Sequence, residues 1–193
     1  LPTKSGGVFQ GFYTESSGGV QWFEAGGKPT AAITPFLDKS KSLYAHWNSS
    51  KYQIQWHNRL SNGATTLAKT TTETFGALTF PGEEILTSKL ANHTFQGWNL
   101  YENQDWAMYT PNQKIQGGLS DLDGTVVKVY SVWTENPKYT VAYNANGGTG
   151  VPTTETYYLG ETAEVSPYQS SRENYTFLGW SEDSNALAAT YTG

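Results

Sequence analysis

The side chains best equipped for chemistry are few and scattered. Three histidines are present, His46, His57 and His93. None has the helical i, i+4 spacing with an intervening Glu that makes a zinc site. The strand patterns place His46 opposite Trp47 and His57 opposite Trp56. There is no cysteine, which excludes thiol nucleophiles, thiolate metal sites and disulfides. Asp121-Leu122-Asp123-Gly124 has the opening of a calcium loop. A full loop needs about six to eight oxygens and a late bidentate Glu, whereas here a strand pattern follows, Thr125-Val126-Val127-Lys128-Val129, so a turn is expected, with weak calcium binding as the other reading. Gly26-Gly27, Gly117-Gly118 and Gly147-Gly148 lack the Gly-Lys-Ser/Thr ending of a phosphate loop. No Gly-x-Ser-x-Gly elbow is present. The pair Glu83-Glu84 fits a solvated face at least as well as a catalytic pair. The chain therefore reads as non-enzymatic, with no catalytic residues, no metal site and no cofactor expected.

Aromatic rings are the remaining candidates, because they can stack on sugars or fill cores. A motif recurs three times: Phe9-Gln10-Gly11-Phe12, Phe95-Gln96-Gly97-Trp98 and Phe177-Leu178-Gly179-Trp180, at intervals of 86 and 82 residues. Eleven residues after its last ring comes another aromatic, Phe23, Tyr109 or Tyr191. Leu43-Tyr44-Ala45-His46-Trp47 and Val129-Tyr130-Ser131-Val132-Trp133 end in a Trp 38 residues after the first Phe; the third copy would place that Trp at position 215. A ring that returns at the same place in every copy is what a shared core requires, so Trp47, Trp98, Trp133 and Trp180 are assigned to cores. The motif Gly is expected to permit a bend or a close backbone approach. Ligand-binding candidates are the rings that break the pattern: Trp22, which aligns with Met108, and Trp106, which aligns with Val20. An inter-module contact or local cap is the competing reading for both.

The elements that must carry these rings are strands. Lys51-Tyr52-Gln53-Ile54-Gln55-Trp56 and Lys138-Tyr139-Thr140-Val141-Ala142-Tyr143 alternate, placing Tyr52, Ile54 and Trp56 on one face and Tyr139, Val141 and Tyr143 on another. Each is followed by a turn signal, Ser61-Asn62-Gly63 or Asn146-Gly147-Gly148, and reads as a hairpin. The composition agrees: aromatics are 15% of the chain and suit a half-buried sheet surface. One helical candidate of at most two turns runs from Gly82 through Leu86 to Leu90. Gly82 is paired with Gly160, making the first hairpin of the middle copy much the longer. The formal net charge is −5 and no Lys/Arg cluster is present, so nucleic acid and anionic membranes are not expected as partners. No apolar run approaches the length of a membrane span, and Leu1-Pro2-Thr3-Lys4 has neither the charged nor the apolar region that opens a signal peptide.

These blocks together resemble the Listeria–Bacteroides repeat, also called the internalin B-repeat. Tyr139-Thr140-Val141-Ala142-Tyr143-Asn144-Ala145-Asn146-Gly147-Gly148 is similar to its first block. Asn174-Tyr175-Thr176-Phe177-Leu178-Gly179-Trp180 is similar to the second, and Leu43-Tyr44-Ala45-His46-Trp47 to the third. The middle copy departs with Trp56-His57-Asn58 and with His93 where Tyr is usual. Phe12 replaces the motif Trp, and Asn92 and Asn174 stand near the usual Gly, a substitution that a left-handed turn tolerates. The resemblance implies a mainly β chain, α+β with little helix, built of tandem small β-grasp-like modules. On this reading residues 1–47 are the closing part of one repeat, 51–133 a complete repeat, and 138–193 the truncated front of a third. Short connections, Asn48-Ser49-Ser50 and Thr134-Glu135-Asn136-Pro137, imply limited hinge motion. The implied role is a non-catalytic stalk or spacer of a secreted bacterial protein at the cell surface or cell wall, with neighbouring repeats of the same protein as partners. The alternative is an adhesive module for a host protein or glycan. The partial end repeats are expected to be completed by a longer parent chain, with neighbouring chains as the other option.

Overall fold

The computed structural model describes residues 1–32 and 40–192. Almost all regular structure is β, and the chain divides into two compact units, Leu1–Thr134 and Glu135–Gly193.

The first unit contains two larger sheets. β1 (Gly7–Tyr13), β2 (Gln21–Glu24) and β3 (Tyr44–Ser49) form a three-stranded sheet in the order β2-β1-β3, with β1 antiparallel to both neighbours. β4 (Lys51–Arg59), β5 (Thr65–Thr74), β7 (His93–Asn99) and β9 (Val126–Glu135) form a mixed sheet in the order β5-β4-β9-β7. Its two central strands, β4 and β9, run parallel, in register from Gln53 opposite Val126 to His57 opposite Tyr130. Two short strands, β6 (Leu78–Thr79) and β8 (Lys114–Ile115), pair beside it. The second unit contains one hairpin, β10 (Lys138–Val141) with β11 (Glu155–Tyr158).

The expected alternation in β4 is borne out: Tyr52, Ile54 and Trp56 are almost wholly buried, while Lys51 and Gln53 face solvent. They form a core with Leu78, Phe80, Trp98 and Val129. Trp56 meets Trp98 edge-on at 4.8 Å, and Phe80 stacks on Tyr109 at 4.0 Å. The indole N–H of Trp98 donates to the Pro81 carbonyl at 2.7 Å; left unpaired, such a buried donor costs about 1–3 kcal/mol.

The recurring motif has one geometry in all three copies. Phe9–Phe12, Phe95–Trp98 and Phe177–Trp180 are edge-to-face pairs with centroids 5.1, 5.3 and 5.2 Å apart. Gly11, Gly97 and Gly179 have φ of 135°, 132° and 134°. A Cβ on any of them would collide with the carbonyl oxygen of Phe23, Tyr109 or Tyr191. Those are the aromatics eleven residues beyond the motif ring, and each pairs across an antiparallel ladder or bridge with Phe12, Trp98 or Trp180. The spacing of eleven is thus the length of a loop whose ends are hydrogen-bonded. The turn before the motif is likewise conserved in form: Gly6, Asn92 and Asn174 have φ of 65°, 57° and 62°, and the next N–H in each case bonds back to Lys4, Leu90 or Arg172. Asn does replace Gly there, as its tolerance of left-handed backbone allows.

Two expectations are corrected. Residues 82–90 form only a single 3-10 turn, Glu83–Ile85; so short a segment gains too few hydrogen bonds to offset helix nucleation. The counterpart of Gly160 is Gly76, not Gly82. The N–H of Phe75 donates to the Ser50 carbonyl and that of Leu159 to the Pro137 carbonyl, at 2.8 and 2.9 Å, each just before a Gly of positive φ. The hairpins are therefore close in length, 25 residues from Lys51 to Gly76 against 22 from Lys138 to Gly160.

Gly97→Ala is expected to destabilise the chain by about 2–4 kcal/mol, from strained backbone plus collision with Tyr109. Gly63→Ala, whose Cβ would meet nothing within 4 Å at φ 81°, is expected to cost only about 1 kcal/mol. Urea denaturation followed by Trp fluorescence measures both, and equal losses would contradict the carbonyl contact.

Candidate functional site

The connection between β3 and β4 is a single residue, Ser50, buried to 1% exposure. Its N–H donates to the Gly6 carbonyl and its hydroxyl to the Asp121 carbonyl, both at 2.9 Å. Its own carbonyl accepts the Phe75 N–H. The Phe75 ring lies so close to Gly6 that any side chain there would overlap it. Across the same junction the Ser5 hydroxyl donates to Asp121 Oδ2 at 2.7 Å, and the Lys51 N–H to Asp123 Oδ1 at 2.8 Å. The Gly124 N–H donates to the Lys51 carbonyl at 2.7 Å. The Asp121–Gly124 stretch, which carries the opening of a calcium loop, is here a turn whose two carboxylates are engaged by Ser5 and Lys51. What this arrangement can do chemically is transmit position: it ties the β2-β1-β3 sheet to the start of β4 through buried or short hydrogen bonds.

The two sequence-flagged rings are placed apart in character. Trp22, on β2, is only 9% exposed. Trp106 is 55% exposed, and Tyr101 on the same loop is 64% exposed. The loop between Trp98 and Tyr109 is pinned beneath these rings. Asn99 Nδ2 donates to the Trp106 carbonyl, Arg59 pairs with Asp105 at 3.1 Å, and the Thr65 hydroxyl donates to Glu102 at 2.7 Å. Tyr101 was not singled out by sequence. The signal existed, since it aligns with Glu15 at the 86-residue interval and so breaks the repeat as Trp106 does.

The histidines lie in separate settings. His46 stacks on Tyr13 at 4.0 Å and meets the Glu15 carbonyl; His93 Nδ1 meets the Ala91 carbonyl. His57 lies 5.2 Å from the Tyr130 ring, and its Nε2 is buried with no hydrogen-bond partner. Burial first, then the nearby Lys128 cation, holds His57 below the ordinary imidazole range, with Glu102 opposing.

Within Glu135–Gly193 an open groove of about 910 Å³ runs between Thr140–Asn146 and Tyr175–Ser184. Trp180 packs edge-on against Tyr143 at 4.8 Å, the same separation as Trp56 and Trp98. Its indole N–H donates to the Ser166 carbonyl at 3.2 Å. Tyr139, however, is 55% exposed where its counterpart Tyr52 is 1% exposed. β4 is flanked by β5 and β9, whereas β10 is flanked, among the described residues, by β11 alone. The expected buried face of this hairpin is therefore only half covered.

Residues 139–193 match the family model described as the Listeria-Bacteroides repeat domain, which bears out the resemblance over that segment. Two proteins of Evansella cellulosilytica are similar to most of the chain. One, named "Putative Gly-rich membrane protein", is 27% identical over 180 residues, 93% of this chain and 18% of that protein. The other, named "Putative membrane protein", is 26% identical over 185 residues, 94% of this chain and 24% of that protein. The chain thus spans no more than about a quarter of the length of these relatives. No solved structure matches. Among the described residues no helix is long and apolar enough to cross a membrane.

His57 gives a pH dependence with a definite sign. Its folded value lies below that of the unfolded chain, about 6.5, so the unfolded state takes up the proton first. The stability linked to neutral His57 is present above that pH and is lost as pH falls through the folded value. His57→Phe, which keeps a ring and removes the titration, is expected to lose less melting temperature than the parent between pH 7.5 and pH 5. Parallel losses in the two proteins would contradict this assignment.

Proposed function

We propose that this chain is a non-catalytic, tandem-repeat segment of a bacterial surface protein, associated with the cell envelope, that serves as a stalk or spacer. The observation that carries the reading is the junction at Ser50. A spacer must hold successive repeats in a fixed relation, and a single buried residue with all three of its polar groups engaged does this with no free hinge. The repeat match over residues 139–193 and the names of the two relatives support placement at the envelope. The sheet order β5-β4-β9-β7, with the first and last strands parallel at its centre, supports a grasp-like module in which a 3-10 turn stands in the crossover. Neighbouring repeats of the same protein are the partners this role requires, and the extracellular face of the wall is where it operates.

A second reading, adhesion to a glycan, is favoured by one observation: Tyr101 and Trp106 expose their rings on a loop that other contacts hold in place. Rings on a pinned loop lose little entropy on binding.

Because the chain lacks cysteine, a Ser17→Cys, Lys69→Cys pair can be spin-labelled cleanly across the junction. A single narrow distance distribution is expected, and Phe75→Ala is expected to broaden it. A broad distribution in the parent would remove the basis for the spacer. For the second reading, a glycan array probed with the chain and with Trp106→Ala is decisive: adhesion predicts signals that the variant loses by tenfold or more, roughly the 1.4 kcal/mol or greater that a stacking ring supplies. No signal from the parent would dismiss it.

A further inference from the structure

We infer that the parallel pair β4 and β9 is a force-bearing clamp, loaded in shear when the chain is pulled end to end. The inference takes its biological meaning from the spacer reading, while its geometry stands on the strand order alone. The repeat spanning 51–133 is entered at the start of β4 and left at the end of β9. These are its first and last strands, and they lie side by side at the centre of the sheet, pointing the same way. Tension on the backbone pulls Lys51 and Thr134 apart. Parallel neighbours held at opposite ends can separate only by sliding, so every bond between them is loaded at once. An antiparallel hairpin pulled at its two open ends instead yields one bond at a time.

The pair is built as such a clamp would need to be. Five residues of β4, Gln53 to His57, face Val126 to Tyr130 in unbroken register. The contact continues past the strand start, where Gln53 N–H donates to the Thr125 carbonyl, Gly124 N–H to the Lys51 carbonyl, and Lys51 N–H to Asp123 Oδ1, at 2.7 to 2.8 Å. At the other end the Arg59 N–H donates to the Ser131 hydroxyl at 2.9 Å. Ser131 is itself buried, accepts the Trp133 indole N–H and donates to Asn58 Oδ1. Ile54, Trp56 and Val129, all nearly fully buried, close one face of the pair to water. Water is the competitor that would exchange with a strained backbone bond, so a shielded ladder holds longer under load. Neither flanking strand carries the load: β5 and β7 lie outside the pair. The Asp121–Gly124 turn thus serves twice, locking the junction at Ser50 and extending the clamp at Lys51.

Single-molecule pulling tests this on the 193-residue chain, with handles at engineered cysteines. One pair, Lys51→Cys with Thr134→Cys, shears β4 against β9. The other, Lys51→Cys with Thr74→Cys, unzips β4 from β5, whose Lys51 and Thr74 are opposed. Forced unfolding reports the unfolding rate in each direction. The shear pair is expected to rupture at about twice the force of the unzipping pair or more at equal loading rate. Asp123→Ala, which removes one mouth contact and leaves the core intact, is expected to lower the shear force and leave the unzipping force unchanged. Equal forces in the two directions would overturn the clamp even if the spin-label distances remained narrow. So would a shear force unmoved by Asp123→Ala together with Gln53→Pro, which deletes the donor to Thr125. Broad spin-label distances with a strong shear response would instead sink the spacer and keep the clamp.

Discussion

A peptide carbonyl pressed against a glycine organises this protein. In each motif copy the glycine lies where a Cβ would occupy the oxygen of the aromatic residue twelve positions on. That contact brings two backbone segments closer than any other residue permits. It sets the hairpin that opposes Phe12 to Phe23, Trp98 to Tyr109 and Trp180 to Tyr191, and with it the edge-to-face pairing of the motif rings. In the complete copy Trp98 then reaches Trp56 and seals the core. Phe95 is aimed at Trp133, as Phe9 is at Trp47, both at 5.2 Å.

The same logic explains why so few polar side chains are free for chemistry. Nearly every buried polar group holds backbone in place: Ser50 at the junction, Asn58 and Ser131 between β4 and β9, Asn99 under the loop that carries Trp106. A fold with little helix has few local hydrogen bonds with which to satisfy its backbone, so side chains and distant strands supply the remainder. Among the described residues His57 Nε2 is buried without a hydrogen-bond partner, and burial together with the Lys128 cation favours its neutral form. The exposed rings Tyr101 and Trp106 stand outside the network, on the loop that the middle motif copy fastens between Trp98 and Tyr109.

The repeat was legible in sequence because a core ring is chemically irreplaceable. Phe and Gly recur in all three copies and the fourth position keeps a large ring, Phe12, Trp98 or Trp180, while the eleven-residue partner recurs because a bonded loop has a fixed length. Hairpin length is not legible in the sequence because Gly76 and Gly82 look alike as letters. Only the bond from Phe75 to Ser50 distinguishes the glycine that ends the hairpin from one that follows Pro81. The missing helix at 82–90 has a related cause: acidic residues before an apolar pair suit a helix start, but three residues of 3-10 turn suffice to bring Ile85 and Leu86 onto the core.

Sequence alone determined the strand-rich class, the three motif copies, the burial of Trp98 and Trp133 and the left-handed turns at Asn92 and Asn174; Trp47 and Trp180, assigned to cores on the same pattern, are only half-buried. Each of these is set by residue type and local spacing, which the chain carries in one dimension. Tertiary structure decided that β9 crosses to lie parallel to β4, that Ser50 is buried as a junction, that Trp22 is covered while Trp106 and Tyr101 are open, and that Tyr139 lacks the cover Tyr52 enjoys. Those outcomes depend on which distant segments meet, and no local pattern of side chains encodes a neighbour that arrives seventy residues later.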